Sequence, residues 1–168
     1  RRYLLSLAPL LLPTVLYTPS ASLVYAYDAS QAEKATSVKP KSEEEARRRF
    51  QDARNQINYL LSNYDEVCRG GGDNIRRYLG TVGTTSPLYG IKTVFKYLQE
   101  DAGDIVEFTE NMNEFDRNLN GADSQAYSSM FVEFSAAKGT TGDYYKGALR
   151  EIQMMKKAID NMNAELLI

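Results

Sequence analysis

The sequence predicts an all-α protein: an antiparallel up-down-up-down four-helix bundle with a short extra helix and an apolar N-terminal leader. Three observations carry this expectation. Apolar residues recur at steps of three and four through four long segments of the chain, which is the spacing of one helix face. A capping residue stands at the head of each predicted helix, at Ser42, Asp73, Ser86, Asp123 and Thr140. No stretch alternates apolar and polar residues for long enough to make a strand.

The leader comes first. Arg1 and Arg2 precede Tyr3-Leu4-Leu5-Ser6-Leu7-Ala8-Pro9-Leu10-Leu11-Leu12, and the first acidic residue is Asp28. A paired arginine followed by an apolar run and then small residues resembles a twin-arginine export signal. Residues 1–26 are therefore expected to be a signal that is cleaved, with small residues at Ser20-Ala21-Ser22 and Val24-Tyr25-Ala26, or else a retained anchor. As a helix, the run from Leu4 to Ala26 would reach roughly 35 Å, enough to cross a bilayer. Pro9, Pro13 and Pro19 oppose a straight helix. Residues 27–41 read as a small, polar linker ending in Val38-Lys39-Pro40-Lys41.

Ser42-Glu43-Glu44-Glu45 opens the body, residues 42–168, with the pattern of a capping box. Ala46, Phe50, Ala53, Ile57, Leu61, Tyr64 and Cys68 then form one stripe, which Gly70-Gly71-Gly72 is expected to end. Asp73 caps a short helix through Ile75 and Leu79, closed by Gly80, and 81–86 is a loop. Ser86 followed by Pro87 starts a second long stripe through Leu88, Ile91, Phe95, Leu98, Ala102, Ile105, Phe108, Met112, Phe115 and Leu119, with a kink expected near Asp101–Asp104 at Gly103. Asp123 starts a third helix, with Tyr127, Met130, Phe131 and Phe134 inward and Gly139 as its stop. After Thr140-Thr141-Gly142-Asp143 the last helix carries the cleanest seam: Tyr145, Ala148, Ile152, Met155, Ile159, Met162 and Leu166.

Composition limits the chemistry. The 168 residues include no histidine and one cysteine, Cys68. That excludes a histidine-ligated haem, a di-iron bundle built on Glu-x-x-His pairs, nucleophile–histidine pairs and zinc sites of the ordinary type within this chain. An intramolecular disulfide is excluded as well. The net charge of −2 includes Arg1 and Arg2, so the rest of the chain is more acidic still, at −4. A general nucleic-acid binder would show a basic excess. No catalytic, cofactor-binding or metal-ligating residues are expected, and no cofactor.

The remaining charged motifs read first as surface. Asp104, Glu107, Glu110 and Glu114 share a helix face, which is a solvated face or a docking face for a basic partner. Weak Ca²⁺ binding there is disfavoured, because hard cations take ligands from loops. Glu43, Glu44 and Glu45 stand four residues before Arg47, Arg48 and Arg49, the favourable order for ion pairs that support a helix. Lys39, Lys41, Arg76 and Arg77 have no such obvious local partner and are the candidate interface for an acidic partner. Gly70-Gly71-Gly72 lacks the strand and the Gly-Lys-Ser/Thr of a phosphate loop. The twelve tyrosines and the methionines Met154, Met155 and Met162 read as core and rim.

Two stretches carry a resemblance: Arg76-Arg77-Tyr78-Leu79-Gly80-Thr81-Val82-Gly83-Thr84-Thr85-Ser86-Pro87-Leu88-Tyr89 and Ala126-Tyr127-Ser128-Ser129-Met130-Phe131-Val132-Glu133-Phe134. Together they resemble the small extrinsic proteins of photosystem II in diatoms and related algae, a group that includes the diatom-specific fifth extrinsic subunit and the PsbQ-like subunit. The likeness spans roughly residues 36–168 and has no catalytic signature. It implies a non-catalytic subunit in the chloroplast thylakoid, on the lumenal side. Such a subunit binds photosystem II core subunits and other extrinsic proteins, shields the oxygen-evolving cluster, and helps retain Ca²⁺ and Cl⁻. The twin-arginine leader suits that address, and a retained leader would associate the chain with the thylakoid membrane, a departure from a family of soluble proteins. The competing expectation is a helical bundle that carries an apolar lipid or pigment between its helices.

Overall fold

The computed structural model describes residues 39–132 and 139–166. The leader 1–26, most of the linker, and Phe134 lie outside the described residues. Within them the chain is all-helical, with six helices: α1 (Glu43–Ser62), α2 (Tyr64–Arg69), α3 (Gly71–Tyr78), α4 (Ile91–Leu98), α5 (Ile105–Ser129) and α6 (Thr141–Glu165). A single 3₁₀ turn, Gln99–Asp101, follows α4. No helix among the described residues is long and apolar enough to cross a membrane.

α1 begins where the sequence places it. The Ser42 hydroxyl accepts from the Glu45 amide at 3.2 Å. Glu45 reaches past Ser42, however, and accepts from the Lys41 amide at 2.9 Å. Ala46, Phe50, Ala53 and Ile57 are buried as expected. The buried stripe then runs through Leu60 in place of Leu61, and the helix breaks at Asn63, whose backbone leaves the helical region and whose side-chain amide donates to the Tyr59 carbonyl at 2.9 Å. Leu60 is buried just before the break, and Tyr64 and Val67 beyond it, while Leu61 and Cys68 pack from the side.

The three glycines separate two helices instead of ending one. Gly70 lies between α2 and α3, and Gly71 takes φ 81°, a left-handed conformation that costs glycine little. Gly72 belongs to α3, with Gly70 rather than Asp73 at the cap. A Cβ at Gly72 would stand 2.1 Å from the Ala126 carbonyl oxygen, so only glycine lets α3 lie this close to α5.

The second long stripe is two helices. Ser86 accepts from the Leu88 amide at 3.2 Å, but only a turn follows Pro87; α4 starts at Ile91, after Gly90 at φ 66°. After the 3₁₀ turn Ala102 is extended, and α5 starts afresh with Asp104 accepting from the Val106 and Glu107 amides at 2.8 and 2.9 Å. The expected kink is thus a full break, with a strong N-cap on its far side. Conversely, the break expected at Asp123 does not occur: α5 runs uninterrupted from Ile105 to Ser129. Its inward residues there are Ala122, Ala126 and Ser129, whereas Tyr127 and Phe131 remain 48% and 47% exposed. Alanine and glycine suit that stretch because α6 presses against it, with Gly121 facing Glu151 and Gly147 facing Gln125.

α6 follows its sequence reading closely. Thr140 and Asp143 form a reciprocal capping box, and Ala148, Ile152, Met155, Ile159, Met162 and Leu166 are buried. Ala158 joins them and Tyr145 is only partly covered. α5 and α6 run antiparallel. The Gly103 amide donates to the Glu165 carbonyl at 2.9 Å, and Asn161 donates to Asn111 at 3.0 Å. Phe50, Phe95 and Phe115 join α1, α4 and α5 through edge-to-face contacts, with ring centroids 5.7 and 5.1 Å apart. α1 is tied to α6 by Arg54, which donates to Asp160 at 3.0 Å and Asn163 at 2.9 Å, and by Gln51, which donates to Asn163 at 3.0 Å.

Candidate interaction surface

Four basic residues are the sequence's candidate interface, and the fold separates them. Lys39 and Lys41 precede α1, at the end of the molecule where Arg47 reaches the Leu166 carbonyl at 3.4 Å. Arg76 and Arg77 lie on α3, against the distal half of α5. Asp123 lies 19 positions beyond the cap Asp104, about 28 Å along α5. The four residues therefore form two sites at a distance from each other.

Arg76 differs from expectation in a second way: it has partners. Its guanidinium donates to Asp123 at 2.9 Å and to Asp73 at 3.2 Å, and its side chain is only 19% exposed. The Asp123 hydrogen bond and charge push its pKa up against the effect of burial. The same guanidinium sits 4.9 Å from the centre of the Tyr127 ring, a cation–π distance. The Thr81 hydroxyl also donates to Asp123, and the Thr81 amide donates to the Arg76 carbonyl at 3.1 Å. Arg76 thus holds α3, the following turn and α5 together. Arg77, its neighbour, is exposed and enters no ion pair among the described residues.

Tyr127 and Phe131 extend this cluster outward, their rings 4.9 Å apart and tilted. Sequence periodicity placed both inside. A continuous α5 rotates them away from the core, because the buried face there is set by Ala122 and Ala126.

The acidic row of α5 lines a surface cleft of about 520 Å³ with Val106, Asn111 and Asn161. Two of its four members have structural duties. Asp104 caps α5, and Glu114 accepts from Asn118 at 3.1 Å and pairs with Arg117 at 2.5 Å. No group of three His, Cys, Asp or Glu side chains among the described residues is arranged to hold a metal ion. Of the three expected Glu–Arg pairs on α1, Glu43–Arg47 forms, at 2.7 Å.

Cys68 lies beside Tyr64, and burial pushes the thiol's pKa up, with the Tyr64 hydrogen bond opposing. Burial also raises the Tyr64 phenol, which donates to the Tyr145 carbonyl at 2.7 Å. A raised pKa keeps Cys68 a thiol, the less nucleophilic form.

No known protein family, characterised protein or solved structure matches the chain.

Proposed function

We propose that the chain is a non-catalytic extrinsic subunit of photosystem II on the lumenal side of the chloroplast thylakoid. In this reading it stabilises and shields the oxygen-evolving cluster and helps retain Ca²⁺ and Cl⁻. One observation supports it above the rest. The two stretches that carry the resemblance, 76–89 and 126–134, are far apart in sequence, yet their described residues pack together. Gly72, just before the first stretch, abuts Ala126, and Arg76 lies over Tyr127. The likeness therefore falls on one structural unit. The finer architecture belongs to the same proposal: α1 with α2, α4, α5 and α6 act as the four arms of an up-down-up-down bundle.

Charge supports the role further. Lys39, Lys41 and Arg77 are exposed cations on an acidic body, suited to steering toward an acidic partner. The rival carrier function would need space between the helices. That space is occupied by the fully buried side chains of Phe50, Phe95, Phe108, Phe115, Ile152 and Met155.

The test is reconstitution. Photosystem II membranes stripped of this subunit should evolve less oxygen, and adding the subunit back should restore the activity. Added Ca²⁺ or Cl⁻ should restore part of it without the subunit. Full oxygen evolution by depleted membranes at low Ca²⁺ and Cl⁻ would sink the reading, and a lipid or pigment bound tightly by the isolated chain would replace it with the carrier.

A further inference from the structure

Between Lys146 and Lys157 α6 exposes cations and no acid: the exposed residues of that stretch are Lys146, Arg150, Gln153, Met154 and Lys157, while Asp143, one turn earlier and also exposed, is held in the Thr140 capping box. At 3.6 residues per turn Lys146, Arg150, Gln153 and Lys157 fall within about 60° of one another, and the three cations span about 17 Å. None of the three enters an ion pair among the described residues. Lys146 adds only the least of the effects that hold Asp143 below the usual carboxylate range. The exposed faces of the other long helices are not like this. α1 shows Glu43, Glu44, Arg48 and Asp52, and α5 shows Glu107, Glu110 and Arg117.

We infer that this face of α6 is a docking surface for an acidic protein surface, with Arg150 at its centre and Met154, 39% exposed, as its apolar flank. An α-helix in a chain of net charge −2 that leaves three cations aligned and outside any ion pair keeps their attraction available for a partner. Arginine's planar fork fits a carboxylate with two hydrogen bonds, and methionine and arginine are both enriched at protein interfaces. A protein partner is favoured over an anionic membrane. Membrane-binding basic clusters carry about four to eight cations; this face has three, on a body that an anionic bilayer would repel. The inference deepens the subunit reading and rests on it.

Rebinding to salt-stripped photosystem II membranes tests it. Compared are the wild type, the face variant Lys146→Glu/Arg150→Glu/Lys157→Glu, and a charge-matched control, Arg48→Glu/Arg69→Glu/Arg117→Glu. The face variant should rebind at least about tenfold more slowly, with a weaker salt dependence, while the control stays near wild type. Circular dichroism verifies that each is folded, and the milder Lys146→Gln/Arg150→Gln/Lys157→Gln replaces the face variant if that one is not. Equal rebinding of wild type and face variant would overturn this assignment alone. So would an equal loss in the control, which would make the effect one of bulk charge. Wild-type binding to phosphatidylglycerol vesicles as tight as to the membranes would make lipid the partner and overturn it too. A wild type that does not rebind would remove the subunit reading, and this assignment with it.

Discussion

The α5–α6 hairpin and the segment from Asn63 to Asp104 are built on opposite principles. In the hairpin two helices of 25 residues each run without interruption, and small residues set their separation. In the segment, four short helical pieces are divided by turns at Asn63, Gly70, Gly80–Gly90 and Ala102. Both bury large apolar side chains. The difference teaches that a 3.6-residue stripe reports which side faces the core, and says little about where the helix stops. Leu98 and Phe108 lie on one apparent stripe and are both fully buried, yet a break lies between them.

The largest effect expected tests the hairpin's seam. Ile152 is fully buried at the middle of α6, so Ile152→Ala should lose about 2–5 kcal/mol in denaturant unfolding. A loss under about 0.5 kcal/mol would mean the seam is not what holds the hairpin.

Next is a backbone-to-backbone approach between the two regions. Gly72→Ala puts a methyl group 2.1 Å from the Ala126 carbonyl oxygen, a backbone atom that cannot turn aside. It should cost about 1–3 kcal/mol. Gly121→Ala, which meets only the Glu151 side chain at 3.0 Å, should be close to neutral, because alanine favours helix by about 1 kcal/mol over glycine. Equal costs in the two variants would contradict the packing described.

A smaller effect separates the two candidate caps. Asp104→Ala removes a side chain that accepts two amides and should cost about 1 kcal/mol, with a loss of helicity at the start of α5. Asp123→Ala should leave the helicity of α5 intact, as measured by circular dichroism, and instead release Arg76. Melting of α5 at Asp123 would restore the third helix expected from sequence.

The smallest effect depends on pH. Burial alone would raise the Asp160 carboxyl, but hydrogen bonds from Lys156 and Arg54 override it and hold its pKa below the ordinary value. A depressed carboxylate stabilises above its unfolded pKa of about 3.9, and that contribution is lost as pH falls through the folded value. Asp160→Asn should therefore be less stable than wild type near neutrality, with the gap closing in acid. A gap that persists or widens below about pH 3 would detach the effect from this carboxylate's charge.

These particulars show what could be read from the sequence. Caps at Ser42 and Thr140 are local, and each was found because its partner lies three residues on. The inward side of α6 was legible for the same reason: one face, one period. Asp123 misled because an aspartate after glycine and alanine looks like a cap, and its actual partner, Arg76, lies 47 residues away. The same separation hid the fact that Arg76 is engaged within the fold. Gly72 reads as a terminator in sequence because a glycine's sequence context cannot distinguish a turn from a close contact. For the candidate surface, exposure of Lys39, Lys41 and Arg77 was legible and their separation was not. The basic face of α6 was masked by the evenly mixed charges of the whole chain.

The ties between α1 and α6 have a kinetic consequence. Gln51 and Asn163 are 112 residues apart in sequence, and Arg54 and Asp160 are 106. Joining such distant points loses more chain entropy than closing a short connection, although the cost grows only slowly with length. The hairpin needs only the connection from Met130 to Thr140 to close, so α5 and α6 should pair early and α1 should be captured last. Pulse-labelled hydrogen exchange during refolding should then protect the amides of α5 and α6 before those of α1; simultaneous protection would mean that α1 belongs to the folding nucleus. A nascent chain would accordingly leave Gln51 and Arg54 of α1 without Asn163 and Asp160 until α6 has been made.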